Sequence, residues 1–383
     1  MSRKLLFNIS IVLIVALALG LLGACSTPAP VTTTATATAT ATTTVATTTT
    51  ATATATSVIK PITLVFTEFE PKNSFWDKEF AQPWFAELDK RTGGRIRVEA
   101  HWGGEIAGLF EAYDTIVKGT ADMGKILPTM NAEKFPWDGA TLYGYVNQVN
   151  YRPSQMWYDL YQQFPEWQQE YANTPMLALT TMPCAGLMTT KNRVVTKLED
   201  AKGLKFPGAG PAAESRLKAA GIVPASLQPS ETYMAFKTGT LDGLVAALRS
   251  VEDFGWGDVL TNASLVNLNG SPWCYVMNKK TWDSLPADIQ KTMKDMIPWL
   301  IELNDKVQAK VHKESMASLN AKYGIKITEL SKAELDRWAA VDNPTLDAYI
   351  AQYVTAKGLP GAKLKSEFDR LWTKYSAPEY QYK

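Results

Sequence analysis

The chain has 383 residues, with 39 basic and 38 acidic side chains, three cysteines and 12 tryptophans. Arg3 and Lys4 are the only charged side chains in the first 57 positions, so residues 58–383 carry a net charge of about −1. That balance lacks the basic surface a nucleic-acid partner needs, and the length supports a large core divided into two lobes.

At the N-terminus, Arg3 and Lys4 precede an apolar run from Leu5 to Leu22 that ends on Leu22-Gly23-Ala24-Cys25. A basic start, an apolar stretch and small residues before a cleavage point predict a secretory signal over 1–24. The tetrapeptide resembles a bacterial lipobox, which makes Cys25 the acylated first residue of a membrane-anchored, extracytoplasmic protein. The alternative is a single membrane-spanning anchor of barely sufficient length. Positions 26–57 are almost entirely Thr and Ala, without charge or hydrophobic period, and with Cys25 they predict a disordered stalk over 25–57.

Beyond the stalk, β and α patterns alternate. Ile62–Phe66 reads as a strand, Trp76–Arg91 as a helix stopped by Thr92-Gly93-Gly94, and Arg95–Trp102 as a second strand. Gly103-Gly104 follows, then a helix over Glu111–Lys118. Such alternation predicts an α/β architecture. Glu111-Ala-Tyr113 with Gly119-Thr120-Ala-Asp122 recurs at identical offsets as Glu231-Thr-Tyr233 with Gly239-Thr240-Leu-Asp242. Each copy reads as a helix, a Gly C-cap and an Asp entering a strand, so the chain holds two related units with a cleft between them. From Ser284 a helix with apolar residues at 3.6-residue spacing is predicted to run to about Tyr323, kinked at Pro298 and long enough to bridge both lobes. A strand over Ile325–Thr328 and two helices complete the chain.

Catalytic and metal chemistry finds little to use. His101 on a strand and His312 on the polar side of the long helix lack partners at metal-ligand spacing, and no acyl-hydrolase elbow is present. Phe206-Pro207-Gly208-Ala209-Gly210 is a Gly-containing helix entry with room for close backbone approach. Glu68 and Glu70 face the same side of an extended segment, and they read either as a glycosidase carboxylate pair or as a solvated strand end, the plainer assignment. No enzyme activity, cofactor or metal is predicted. Cys184 and Cys274 either pair or are simply buried.

Lys197–Phe206, Pro224, Glu231-Thr-Tyr233, Gly239-Thr240-Leu-Asp242-Gly243 and Val276-Met277-Asn278-Lys279 together resemble the extracytoplasmic solute receptors of tripartite ATP-independent periplasmic (TRAP) transporters. Arg91–Glu99, Gly103-Gly104 and Ala121-Asp122-Met123 match that family's first lobe. The resemblance implies a two-lobed type II periplasmic-binding-protein fold. Lobe I would hold 58–184 plus 273–312, and lobe II 185–272 plus 313–383. It also implies a monomeric receptor that closes by a hinge on a small organic ion and delivers it to two membrane subunits. A ligand sensor of the same fold, uncoupled from transport, is the alternative.

The departures fall on the expected contact positions. The family's carboxylate-pairing Arg corresponds to Pro207, a second family Arg to Leu187, a polar position to Ala246, and two Asn or Glu positions to Phe69 and Leu127. Three readings remain. The ligand is more apolar or aromatic, walled by Phe69 beside Glu68 and by Trp76 or Trp273. Alternatively Arg249 or Lys125 replaces the clamp. In the third, these residues are ordinary core, as most of the tryptophans are.

Overall fold

The computed structural model describes residues 60–381 except Val149 and Asn192, and only the backbone of 182–185 and 269–271. The signal, Cys25 and the stalk lie outside the described residues. The strands are β1 (Ile62–Thr67), β2 (Ile96–His101), β3 (Met123–Ile126), β4 (Met176–Thr190), β5 (Lys205–Pro207), β6 (Val223–Ala225), β7 (Gly243–Ala246), β8 (Leu260–Met277) and β9 (Lys326–Glu329). The helices are α1 (Gln82–Arg91), α2 (Ala112–Lys118), α3 (Pro136–Thr141), α4 (Pro153–Tyr161), α5 (Pro165–Glu170), α6 (Pro211–Ala219) and α7 (Pro229–Thr238). They continue as α8 (Ser250–Asp253), α9 (Lys279–Ser284), α10 (Ala287–Asp295), α11 (Ile297–Tyr323), α12 (Lys332–Tyr349) and α13 (Gly361–Tyr375).

One sheet runs in the order β2-β1-β3-β8-β4-β7, with β9 beside β8. Its continuity rests on the two long antiparallel strands, β4 and β8. Met176–Thr181 of β4 lies beside the C-terminal part of β8, which carries β3 on its other side, and Gly186–Thr189 carries β7. The same pair of strands therefore serves both lobes. The register shifts between Cys184 and Gly186, where the strands pass from one lobe to the other. Cys184 faces Asn269 whereas Cys274 faces Leu179. The two cysteines stand about 17 Å apart along the ladder, too far for a disulfide. Cys274 is a free, buried thiol.

The internal repeat is one structural device used twice. Gly119 and Gly239 cap α2 and α7 in the left-handed region, at φ 78° and 73°. Asp122 then pairs its backbone N–H with Val65 O, and its carboxylate accepts Val65 N–H at 2.8 Å. Asp242 does the same with Lys205, taking that N–H at 2.9 Å. Each aspartate thus docks an earlier strand, β1 or β5, onto the strand that follows the helix.

The long helix differs from expectation. Pro298 stands in the first turn of α11, where a missing N–H leaves no hydrogen bond unmade, so α10 and α11 are separate helices meeting at Met296. The 27 residues of α11 reach about 40 Å. Leu300, Val307 and Val311 pack on the lobe I core, and Leu319 on that of lobe II. His312 is half-buried rather than on a polar face, and desolvation holds its imidazole below the usual value. The segment 313–383 does not stay with lobe II as expected. Trp338 of α12 joins a lobe II cluster, while Leu346, Tyr349, Phe368 and Trp372 enter a separate aromatic cluster with α3, α4 and Ile126.

Replacing Asp122 with Ala removes the acceptor for Val65 N–H and for Thr281 Oγ1. It is expected to lower unfolding free energy by about 1–3 kcal/mol. Asp242→Ala should cost less, because the hydrogen bonds its carboxylate accepts are exposed whereas those of Asp122 are half-buried. Urea denaturation of the two variants checks the order.

Candidate functional site

Where the lobes face each other, three features converge: a knot of buried charges in lobe I, a lock between the lobes, and an apolar cavity. The knot is built from the loop after β1. Gly103 and Gly104, both at positive φ, donate their N–H groups to the carbonyls of Glu70 and Glu68 at 2.7 and 3.0 Å. A side chain at either glycine would strain that turn. Thus fixed, Glu70 Oε1 lies 2.5 Å and Glu68 Oε2 3.3 Å from Lys125 Nζ of β3. All three side chains are buried, so the solvated strand end expected for Glu68 and Glu70 is not what forms. Each acid meets a lysine, so the two do not form an opposed carboxylate pair of glycosidase type. Burial pushes the Glu70 carboxyl up to about 8, against the pull of Lys125 and helped by the charges of Glu68 and Asp253. Glu68 is raised for the same primary reason.

Three aromatic rings wall the ammonium. Lys125 Nζ lies 4.8 Å from the Phe69 centroid, 4.7 Å from Trp76 and 5.0 Å from Trp273. Phe69 stacks on Trp273 at 5.3 Å. The structure therefore brings Glu68, Phe69, Trp76, Lys125 and Trp273 together.

The lock uses Arg249. Its Nη1 lies 2.7 Å from Glu252 and its Nε 3.3 Å from Asp253, while Asp253 Oδ1 accepts Phe75 N–H across the lobes at 3.2 Å. Gln228 Nε2 donates to Glu111 in another interlobe bond at 3.1 Å. Gly210, at φ 86°, ends the Phe206–Gly210 loop so close to lobe I that a Cβ there would stand 2.4 Å from Thr129 O. Arg249 is therefore occupied within the protein.

The cavity holds about 140 Å³. Leu109 and Phe110 face it from lobe I. Pro207, Ala209, Leu227, Leu244, Val245 and Trp256 line it from lobe II. Its one cation among the described residues is Arg216 of α6, which is buried and bound to Asp342 through Nε at 2.7 Å and Nη2 at 2.5 Å. Nη1 donates to Leu142 O at 2.8 Å, and Nη2 also reaches Gly144 O at 3.4 Å. Four of the guanidinium's five N–H groups are thereby assigned. On the other side of Leu109 and Phe110, a hollow of about 90 Å³ is lined by Leu127 and Asn131.

The expected contact positions separate. Pro207 lines the cavity and Leu127 the neighbouring hollow. Leu187 is buried in a lobe II cluster beside Val245, its partner in the ladder. Ala246 packs against another lobe II cluster, and Val245 takes the wall instead. Arg216 went unread in the sequence although a signal existed. It shares the apolar stripe of α6 with Ala212, Ala213, Leu217 and Ala220, and a cation on such a stripe requires a partner.

Residues 66–352 match the model of the bacterial extracellular solute-binding proteins, family 7, DctP. The chain belongs to this family. A solute-binding protein of Albidiferax ferrireducens is 24% identical over 272 residues, covering 68% of this chain and 77% of the relative. A TRAP periplasmic solute-binding protein of Desulfovibrio salexigens is 25% identical with a TM-score of 0.68, covering 82% of this chain and 96% of that one. A TRAP solute-binding protein of Rhodoferax ferrireducens, solved with copurified benzoate, has a TM-score of 0.75 at 21% identity, covering 82% and 98%. The fold is thus the two-lobed binding-protein fold. The DctP-family chain is an extracytoplasmic solute receptor of the TRAP type, not an enzyme, and family membership favours transport over a detached sensor.

Between pH ~4.5 and ~8 the folded protein holds a proton on Glu70 that the unfolded chain has released. Stability therefore falls as pH rises through that window. Glu70→Gln is expected to flatten the fall, read as the urea midpoint from pH 5 to pH 9. An unchanged slope would mean that Glu70 is not a buried acid.

Proposed function

We propose that this receptor captures an aromatic monocarboxylate with a single ring, seating the ring in the interlobe cavity. The observation carrying this reading is the cavity itself. A dry hole of about 150 Å³ lined by apolar side chains accepts benzene, and the space between Phe110 and Val245 is of that size and mostly apolar in lining, open on one side and edged by Arg216. Burying a ring of about 150 Å² contributes on the order of 4 kcal/mol. One charge-assisted hydrogen bond adds about 1.5–3 kcal/mol. The ring therefore dominates, and the carboxylate's role is orientation.

Arg216 is the group we assign to the carboxylate. Asp342 holds the fork of the guanidinium, so the ligand receives the remaining Nη1 N–H in a single bond rather than a bidentate clamp. A second carboxylate would be buried without a partner, at a cost of several kcal/mol. Benzoate bound to the Rhodoferax ferrireducens relative supports this ligand class. Lobe closure completes the wall, because Phe110 and Val245 come from opposite lobes. In this reading the receptor works as a monomer, tethered by lipid on Cys25 and a Thr/Ala stalk, and delivers its ligand to the membrane subunits of a TRAP transporter.

A thermal-shift screen tests the ligand class. Benzoate and related single-ring acids at about 100 times Kd should stabilise the protein by about 2.7 kcal/mol, and succinate should leave the melting temperature unchanged. Val245→Phe fills the cavity and should weaken benzoate at least about tenfold, a loss of about 1.4 kcal/mol. Succinate binding that excludes benzoate would refute the assignment.

A further inference from the structure

The knot around Lys125 is built like a receptor for an ammonium ion. Three ring faces lie within 4.7–5.0 Å of one nitrogen, and two carboxylates approach the same nitrogen at 2.5 and 3.3 Å. Aromatic faces closing on a cation, backed by acids, are the means by which proteins recognise cationic ligands. Here the cation comes from the chain. A structural ion pair needs one carboxylate and no ring, so two acids and three aromatics exceed that need.

The box also borders the ligand cleft. Phe69 is half-buried, and Trp273 shares a packed cluster with Leu109, Leu127 and Ala209, which line the two hollows, and with Ala247 of lobe II. Glu70 Oε2, Trp76 Nε1 and Trp273 Nε1 are buried with no hydrogen-bond partner among the described residues. Of these, Glu70 Oε2 is the acceptor and the two indole N–H groups are donors, so one carboxyl oxygen of the box is left unused by Lys125.

We propose that this box is an ammonium-recognition subsite which the chain fills with its own lysine, and that Lys125 thereby bars amino-bearing solutes from the cleft. Lys125 is the specificity-determining residue of lobe I. Vacating the box exposes a site for a primary alkylammonium ion. The inference does not depend on the aromatic-acid reading, which benzoate binding to the unaltered protein tests separately.

The probe is n-propylammonium, which has the heavy atoms that Lys125→Ala removes, with n-propanol as its uncharged counterpart. Calorimetric titration of Lys125→Ala should show at least about tenfold tighter propylammonium binding than the wild type. Propanol should show no such gain. Lys125→Met, which refills the space without charge, should resemble the wild type. A folded Lys125→Ala protein without the gain would overturn the proposal, as would a wild type that binds propylammonium equally well. Lys125→Ala leaves two acids unpaired, so Glu70→Gln combined with Lys125→Ala is titrated alongside it. If neither variant folds alone, refolding in propylammonium decides: recovery with it and not with propanol supports the subsite, and no recovery refutes it.

Discussion

A charge taken out of water must find its counter-charge inside the protein, and this requirement organises the cleft. Lys125, Arg216 and Arg249 all stand at or near the meeting of the lobes, and each is held by acids of the chain itself. Leaving such an ion unpaired costs several kcal/mol, more than a small ligand readily offsets. The receptor therefore presents a cleft in which these three cations are already bonded to acids of the chain. The free energy for binding must come mainly from apolar surface, and the cavity between Phe110 and Val245 supplies it.

The same constraint connects the knot to the fold. Lys125 is carried on β3, which Asp122 docks against β1, and β3 lies beside the C-terminal part of β8. Because β4 and β8 continue into lobe II, the walls of the cleft are supported by one ladder. Displacement of one lobe on the other must then be absorbed where the register shifts between Cys184 and Gly186. The lock formed by Asp253 with Phe75 N–H and the close approach of Gly210 to Thr129 hold the lobes together elsewhere.

Much of this was legible in the chain. The two Asp-ended repeats announced two equivalent units, because a Gly cap and a strand-docking aspartate leave a local mark at fixed spacing. The glycine pair at 103–104 and the close approach at Gly210 were legible for the same reason. Partnership across the fold was not. Glu68 and Glu70 read as a solvated end because nothing local reveals that Lys125, 55 residues from Glu70, lies 2.5 Å away. Arg249 read as a free cation because its partners, Glu252 and Asp253, become visible only when α8 is seen to form. The lost family arginine drew attention to Pro207, while Arg216 sat unread on an apolar helix face lining the same cavity.

These internal pairs are expected to survive ligand binding. A crystal structure of the benzoate complex tests this most directly. The ring should lie between Phe110 and Val245, with its carboxylate on Nη1 of Arg216, Arg216 still bound to Asp342, and Lys125 still bound to Glu68 and Glu70. Finding either cation released from its acid to meet the carboxylate would contradict it.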